Sequence, residues 1–273
     1  MAGEEASVSS LHRAVQILKG LAVGAAEGGQ RVSDLAKALG YTQATTHRLL
    51  QQLVDEGLVE QASHNKRYTL SLDFFALAAK AGDAGLLRER CRPALLRLGA
   101  SLGDSVFLLV RAGFDAMCLD RWEGPFPIRS FTGDIGGRVP LGVGQGSMAI
   151  LAHLPDAERD EVMRHNVPRI RHLGALDEVY LRTEAAKVQR QGYANTNSGL
   201  IEGMAGVAVP VFDANGRVAA ALSVGTLTAR LEGERLPVVV HLLQREARAL
   251  AAQINPFDRT LRRPADALGG AGG

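Results

Sequence analysis

Residues 31–70 read RVSDLAKALGYTQATTHRLLQQLVDEGLVEQASHNKRYTL, and the reading of this stretch decides the N-terminal fold. Leu35, Ala36 and Leu39 fall on one side of a short helix, with Ser33 as its expected N-cap. Gly40 sits where a helix C-terminus needs a residue tolerant of positive φ. Thr42 is placed to cap a further helix that carries Leu49, Leu50, Leu53 and Val54 and stops at Gly57. Two short helices joined by a tight glycine turn form a helix-turn-helix unit. At 100° per residue Thr46 lies with the leucines, while Ala44, Arg48 and Gln51 point away, flanked by Thr45, His47 and Gln52. A helix that enters the major groove of DNA presents small or polar side chains near its N-terminus, on the face away from the core. Thr42, Gln43, Ala44, Thr45, His47, Arg48 and Gln51 are therefore the candidate DNA-binding residues of this helix. On the helix alone, an ordinary solvated face is an equally good reading.

The flanking segments tip that balance. Residues 58–61 and 67–70 alternate like a strand pair around Ser63-His64-Asn65-Lys66. A basic hairpin directly behind a recognition helix reads as a wing, laying Lys66 and Arg67 beside a phosphate backbone or minor groove. Upstream, Leu11, Ala14, Val15, Leu18 and Leu21 recur at helical spacing and give an amphipathic first helix that ends in the glycines of 24–29.

Net charge adds nothing to this reading. The chain carries +2 overall, and residues 1–72 hold seven Lys/Arg against seven Asp/Glu. Placement matters more. No acid lies between Asp34 and Asp55 or between Glu60 and Asp73, and those gaps contain Lys37, Arg48, Lys66 and Arg67. A length of 273 residues allows two domains, and 46% hydrophobic with 22% charged residues is a globular composition. The start MAGEEASVSS lacks the apolar run of a secretory signal, and no stretch is apolar enough for a membrane helix. A cytoplasmic protein without a membrane partner is expected. Cys91 and Cys118 lack ligand or redox spacing and are expected to be buried thiols.

Beyond residue 72 the pattern changes. Residues 73–102 read as helix, interrupted at Ala81-Gly82-Asp83-Ala84-Gly85. Strands are expected at 106–110, 116–119, 128–131, 205–212 and 218–224, the last two joined by Asp213-Ala214-Asn215-Gly216. Helices are expected from the glycines at 142, 144 and 146 into 148–151, over 178–191 and over 236–254. Strands without βα alternation indicate an α+β fold around an antiparallel sheet. The expected division is a winged helix-turn-helix over 1–72, a helical linker over 73–92, an effector domain over 93–257 and a disordered tail over 258–273. The glycine run lacks a P-loop lysine, so close packing or ligand approach explains it better. His153, His165, His172 and His241 are scattered, Ser147 and Ser198 lack a nucleophile elbow, and Asp120-Arg121 reads as an ion pair or turn contact. No catalytic residue, metal site or cofactor is expected.

The chain resembles the IclR family of bacterial regulators over about residues 10–254. The resemblance rests on Leu11-His12-Arg13-Ala14-Val15-Gln16-Ile17-Leu18, Ser33-Asp34-Leu35-Ala36 and Thr45-Thr46-His47-Arg48-Leu49-Leu50, with Tyr68 in the wing. It continues through Gly137-Arg138-Val139-Pro140-Leu141, Gly192-Tyr193-Ala194, Glu202-Gly203, 206–213 and 220–224. It implies a GAF-like effector domain and winged-helix units on double-stranded operator DNA. It also implies a homodimer or dimer of dimers, and small organic acids or aromatic catabolites as effectors at catabolic operons. The family's pocket stations fall on Ile128, Phe131, Val139, Gln145, Gly146, Thr196, Met204, Gly206, Ser223 and Gly225. Where many relatives have Gly-Lys, this chain has Ser147-Met148. Thr196 and Gly206 are smaller or less charged than the groups of some acid-binding relatives. Such apolar walls favour an apolar or aromatic ligand oriented by Gln145, Thr196 and Ser223, with Arg129 and Arg138 solvated. The competing readings are a small-molecule carrier or enzyme with a helical dimerisation domain, and a co-regulator that touches no DNA.

Overall fold

The computed structural model describes residues 9–74, 77, 84–125, 128, 130, 132–174, 176–195, 201–231 and 233–252. The chain divides into two compact units, Met1–Gly82 and Asp83–Gly273.

The first unit contains α1 (Ser10–Val23), α2 (Val32–Leu39), α3 (Gln43–Asp55), β1 (Val59–Gln61) and β2 (Tyr68–Leu70). Its core is Ile17, Leu21, Leu35, Leu49, Leu50, Leu53, Val59 and Tyr68. The expected face of α1 was misplaced: Ile17 is fully buried, whereas Leu11 is 74% and Val15 38% exposed. Two apolar stripes overlap on this helix, and the small core covers only the one through Ala14, Ile17, Leu18 and Leu21. Ser33 does not cap α2, which begins one residue earlier behind Arg31; the Ser33 hydroxyl donates instead to Asp34 Oδ1. Gly40 adopts φ 69° after α2, and Thr42 Oγ1 accepts from the Thr45 N–H at 3.2 Å at the start of α3. β1 and β2 pair antiparallel, and Gln30 adds a further bridge on Tyr68.

The second unit contains α4 (Ala84–Leu102), β3 (Ser105–Ala112), β4 (Asp115–Trp122), β5 (Arg138–Pro140), α5 (Gln145–Ala152), α6 (Asp156–Ile170), α7 (Glu178–Gln191), β6 (Met204–Phe212), β7 (Val218–Leu227) and α8 (Arg235–Ala251). The strands form one sheet in the order β5-β4-β3-β7-β6, every described pair antiparallel. Val106, Leu108, Val110 and Leu222 face α4 and α8, while Phe107, Leu109, Ala208 and Ala221 face α5, α6 and α7. Helices on both faces explain why these strands read as apolar runs rather than as alternation. At the β6–β7 turn the Asp213 carboxylate accepts from the Asn215 and Arg217 N–H groups, and Gly216 takes φ 74°.

Three expectations change here. Pro93 lies inside α4, so the boundary expected between 92 and 93 falls within one helix. Pro93 and Glu89 are both exposed, so the proline sits on the solvent side of the helix. Ile128 and Ser130 are not strand; Ser130 Oγ accepts from the Gly133 N–H at 3.1 Å in a local turn, and the edge strand is β5 instead. The remaining residues of that expected strand, Arg129 and Phe131, lie outside the described residues, as do Ser198 and the expected tail. Helix α6 was not expected at all. Among the described residues no helix is long and apolar enough to cross a membrane.

Candidate functional site

The N-terminal half of α3 presents a continuous exposed face. Thr42, Gln43, Ala44, His47 and Arg48 are exposed and Thr45 is half-buried, while Thr46 is fully buried on the other side. Two expected members are engaged within the unit. Gln51 Nε2 donates to Tyr68 Oη at 3.1 Å, and Arg67 Nη1 donates to the Gly29 carbonyl at 2.5 Å. Their partners lie 17 and 38 residues away in sequence, so no local pattern could show them. Lys66 is exposed at the tip of the hairpin with φ 55°. Among the described residues every ion pair lies at Arg88 or beyond, so Arg48 and Lys66 keep solvated, unpaired charges.

The second unit holds a pocket of about 650 Å³, its mouth included. Helix α5 starts beside it at Gly144 with no capping side chain, and Gln145, Gly146 and Ser147 line it. An uncapped helix start carries backbone N–H groups without intrahelical partners. Phe107 and Leu109 of β3 and Ser223 of β7 form the floor; Ile128, Val139 and Met204 form apolar walls. Glycines make this closeness possible. A Cβ on Gly146 would lie 2.5 Å from Leu109 Cδ1, and one on Gly225 2.6 Å from Ile128 Cδ1. A Cβ on Gly206 would meet Gln145 Oε1 at 3.0 Å, so Gly206 shapes the site without lining it. Ile128, Val139, Gln145, Gly146, Met204, Ser223 and Gly225 thus converge on one cavity. Phe131 and Thr196 lie outside the described residues. Sequence reasoning missed Phe107 and Leu109, which sit in an unbroken apolar run on β3 that marks neither face, and Ser130 and Thr132, which offered no signal. None of the described lining residues is charged.

Several other polar groups of the second unit are held in internal contacts. Ser147 Oγ donates to the Val143 carbonyl at 2.6 Å and accepts from the Gly142 N–H at 3.2 Å, which ties the loop to α5. Asp120 is fully buried beneath Arg88 at 3.4 Å and Arg92 at 3.0 Å. Burial pushes the Cys91 thiol up to about 12 and the Cys118 thiol up to about 11, so both stay protonated at neutral pH. Burial also lowers the pKa of His153, whose ring meets Phe212 edge-on, and His165 stacks on Phe114 at 3.9 Å. No cluster of metal-ligating side chains occurs among the described residues.

Comparison with known proteins assigns this arrangement. Residues 10–63 match the IclR helix-turn-helix domain, and residues 82–252 match the bacterial transcriptional regulator IclR C-terminal domain. The chain belongs to the IclR family. It is a DNA-binding transcriptional regulator with an effector-binding C-terminal domain. The IclR relatives include the probable transcriptional regulator SauR of Cupriavidus necator, 31% identical over 235 residues, covering 82% of this chain and 88% of that protein. The regulator XynR of Escherichia coli is 26% identical over 245 residues, 89% of this chain and 96% of its own. Among solved IclR structures, that of Thermotoga maritima superposes with TM-score 0.68 at 22% identity, covering 89% of this chain and 99% of the other. An IclR homologue from Microbacterium hydrocarbonoxydans, complexed with 4-hydroxybenzoate, gives 0.71 at 24% identity over 93% and 99%. Both share the fold.

Proposed function

We propose that this IclR regulator holds double-stranded operator DNA through the exposed N-terminal face of α3 and the Lys66 wing. It acts as a homodimer or dimer of dimers in the cytoplasm, at a catabolic operon. An organic acid or aromatic catabolite in the second unit sets its DNA affinity. The observation that carries the effector reading is an uncapped helix start set against an apolar floor. The α5 N-terminus favours negative charge, while Phe107, Leu109, Ile128, Val139 and Met204 favour a ring or alkyl body. A carboxylate at Gln145-Gly146-Ser147 with a ring over Phe107 satisfies both, and the Ser130, Thr132 and Ser223 hydroxyls orient it. The 4-hydroxybenzoate held by the Microbacterium homologue has this chemistry.

Two measurements test the reading. Calorimetry of the full chain is expected to show tighter binding of 4-hydroxybenzoate than of pyruvate; the reverse order sinks the aromatic preference. Arg48→Ala is expected to weaken binding to a fragment of the protein's own promoter by about 1–3 kcal/mol. An unchanged affinity removes α3 from the interface and favours a carrier function.

A further inference from the structure

A second cavity abuts the effector pocket, and Phe107, Ile128 and Ser130 line both. It holds about 660 Å³, its mouth included, with Ser105, Arg121 and Glu123 on its other sides. Strand register fixes what joins the two. Phe107 stands opposite Ser223 on β7 and opposite Arg121 on β4. Directly opposed residues of antiparallel strands point to the same face. Ser223, Phe107 and Arg121 therefore form one row across three strands, on the side that α5 covers. At about 4.8 Å per strand the row spans about 10 Å between its outer Cα atoms. The α5 start lies at the Ser223 end, where a Cβ on Gly146 would be 3.4 Å from Ser223 Cβ. A guanidinium stands at the other end. Between them the Ile128 side chain, which lines both cavities, packs into the space that Gly225 leaves.

Arg121 is 23% exposed and donates to the Gly133 carbonyl at 2.7 Å. Its acidic partners, Glu123 and Asp134, are 67% and 89% exposed. Pairs with such solvated carboxylates hold weakly. An acid group that took the place of Glu123 on the guanidinium would release a carboxylate that is already largely in water.

We propose that the effector of this chain is an elongated diacid. One carboxylate sits at the α5 start, an apolar or aromatic middle crosses Phe107 and Ile128, and the second acid group binds Arg121. This inference rests on the effector pocket proposed above and adds to it a second anchoring group and a length. The test is calorimetry of the full chain with benzoate, terephthalate and the flexible diacid adipate. Terephthalate is expected to bind about tenfold more tightly than benzoate, the effect of one charge-assisted contact. Arg121→Gln is expected to abolish that preference and leave benzoate unchanged. Glu123→Gln, which keeps the guanidinium and removes its competitor, is expected to enlarge the preference. The diacid proposal is overturned, with the pocket reading intact, if benzoate binds and neither diacid binds better. It is equally overturned if Arg121→Gln weakens mono- and diacids alike, since the guanidinium then only supports the loop. If none of the three acids binds at millimolar concentration, both readings fall.

Discussion

Replacing Arg67 by methionine separates two roles that the wing sequence alone merges. The Arg67 guanidinium donates to the Gly29 carbonyl at 2.5 Å, and the adjacent residue Tyr68 exchanges backbone bonds with Gln30 at 3.0 and 2.8 Å. A hydrogen bond involving a charged group contributes about 1.5–3 kcal/mol, and partial exposure of Arg67 places it near the lower end. A loss of about 1.5 kcal/mol corresponds to roughly tenfold faster opening of the wing. Because two units give no single well-defined melting point, amide hydrogen exchange at Gln30 and Tyr68 is the better assay. Arg67→Met is expected to lower protection there about tenfold and to change the salt dependence of DNA binding little. The control is Lys66→Asn, which removes the exposed charge but suits the positive φ at this position. It is expected to leave protection unchanged and to reduce the slope of log affinity against log salt by about 0.9. If Arg67→Met leaves exchange untouched and lowers the slope as much as Lys66→Asn, the guanidinium faces phosphate rather than Gly29, and the reasoning fails.

Thr42→Ala removes the cap of α3 and is expected to destabilise the first unit by about 1 kcal/mol, read as a roughly fivefold loss of amide-exchange protection within α3. Gly225→Val places carbon atoms in the space of Ile128 Cδ1 and is expected to abolish aromatic-acid binding in calorimetry while operator affinity stays unchanged. Cys91 and Cys118 are expected to resist iodoacetamide at pH 8 until urea unfolds the second unit; rapid labelling of the native chain contradicts their burial. The unfolded chain loses these thiol protons near pH 9 and the folded one only near 11–12. Stability is therefore expected to fall as pH rises above about 9, in a pH series of urea midpoints. At the acid end, hydrogen bonding from Arg97 holds Glu246 below the usual carboxylate range. Its contribution is present above the unfolded pKa and is lost as pH falls through the lower folded value.

Elements with strong local signals could be read from the sequence. Helix α3 announces itself through Thr42, its leucines and Gly57, and the β6–β7 turn through Asp213 and Gly216. Helix α7 fell within the residues expected for it, between Asp177 and Gly192. Helix α6 was invisible because its packing is partly polar. Asn166 Nδ2 donates to the Phe114 and Leu141 carbonyls, and Glu158 pairs with Arg111, so two of the five buried residues of the helix are polar and only Val162, Met163 and Ile170 are apolar. The pocket residues came from resemblance, not from periodicity. Period two on β3 would have added Phe107 and Leu109, but only once the sheet order placed β3 beside β7. Arg121 was readable as an ion-pair residue, yet its place in the row with Phe107 and Ser223 needs the register of three strands.

Four buried carboxylates in the second unit each hold two arginines. Asp104 takes Arg230 and Arg235, and Asp120 takes Arg88 and Arg92. Glu158 takes Arg111 and Arg217, and Glu246 takes Arg97 and Arg245. A carboxylate removed from water needs more than one donor to offset its lost hydration; these four take arginine pairs, and buried Asp213 takes the Asn215 and Arg217 N–H groups instead. These arginines are committed to ion pairs within the second unit. The first unit does the reverse: it is balanced in sequence, and among its described residues no ion pair forms, so Arg48 and Lys66 remain free for phosphate or base edges. Arg67 differs from both, since its guanidinium donates to the Gly29 backbone carbonyl.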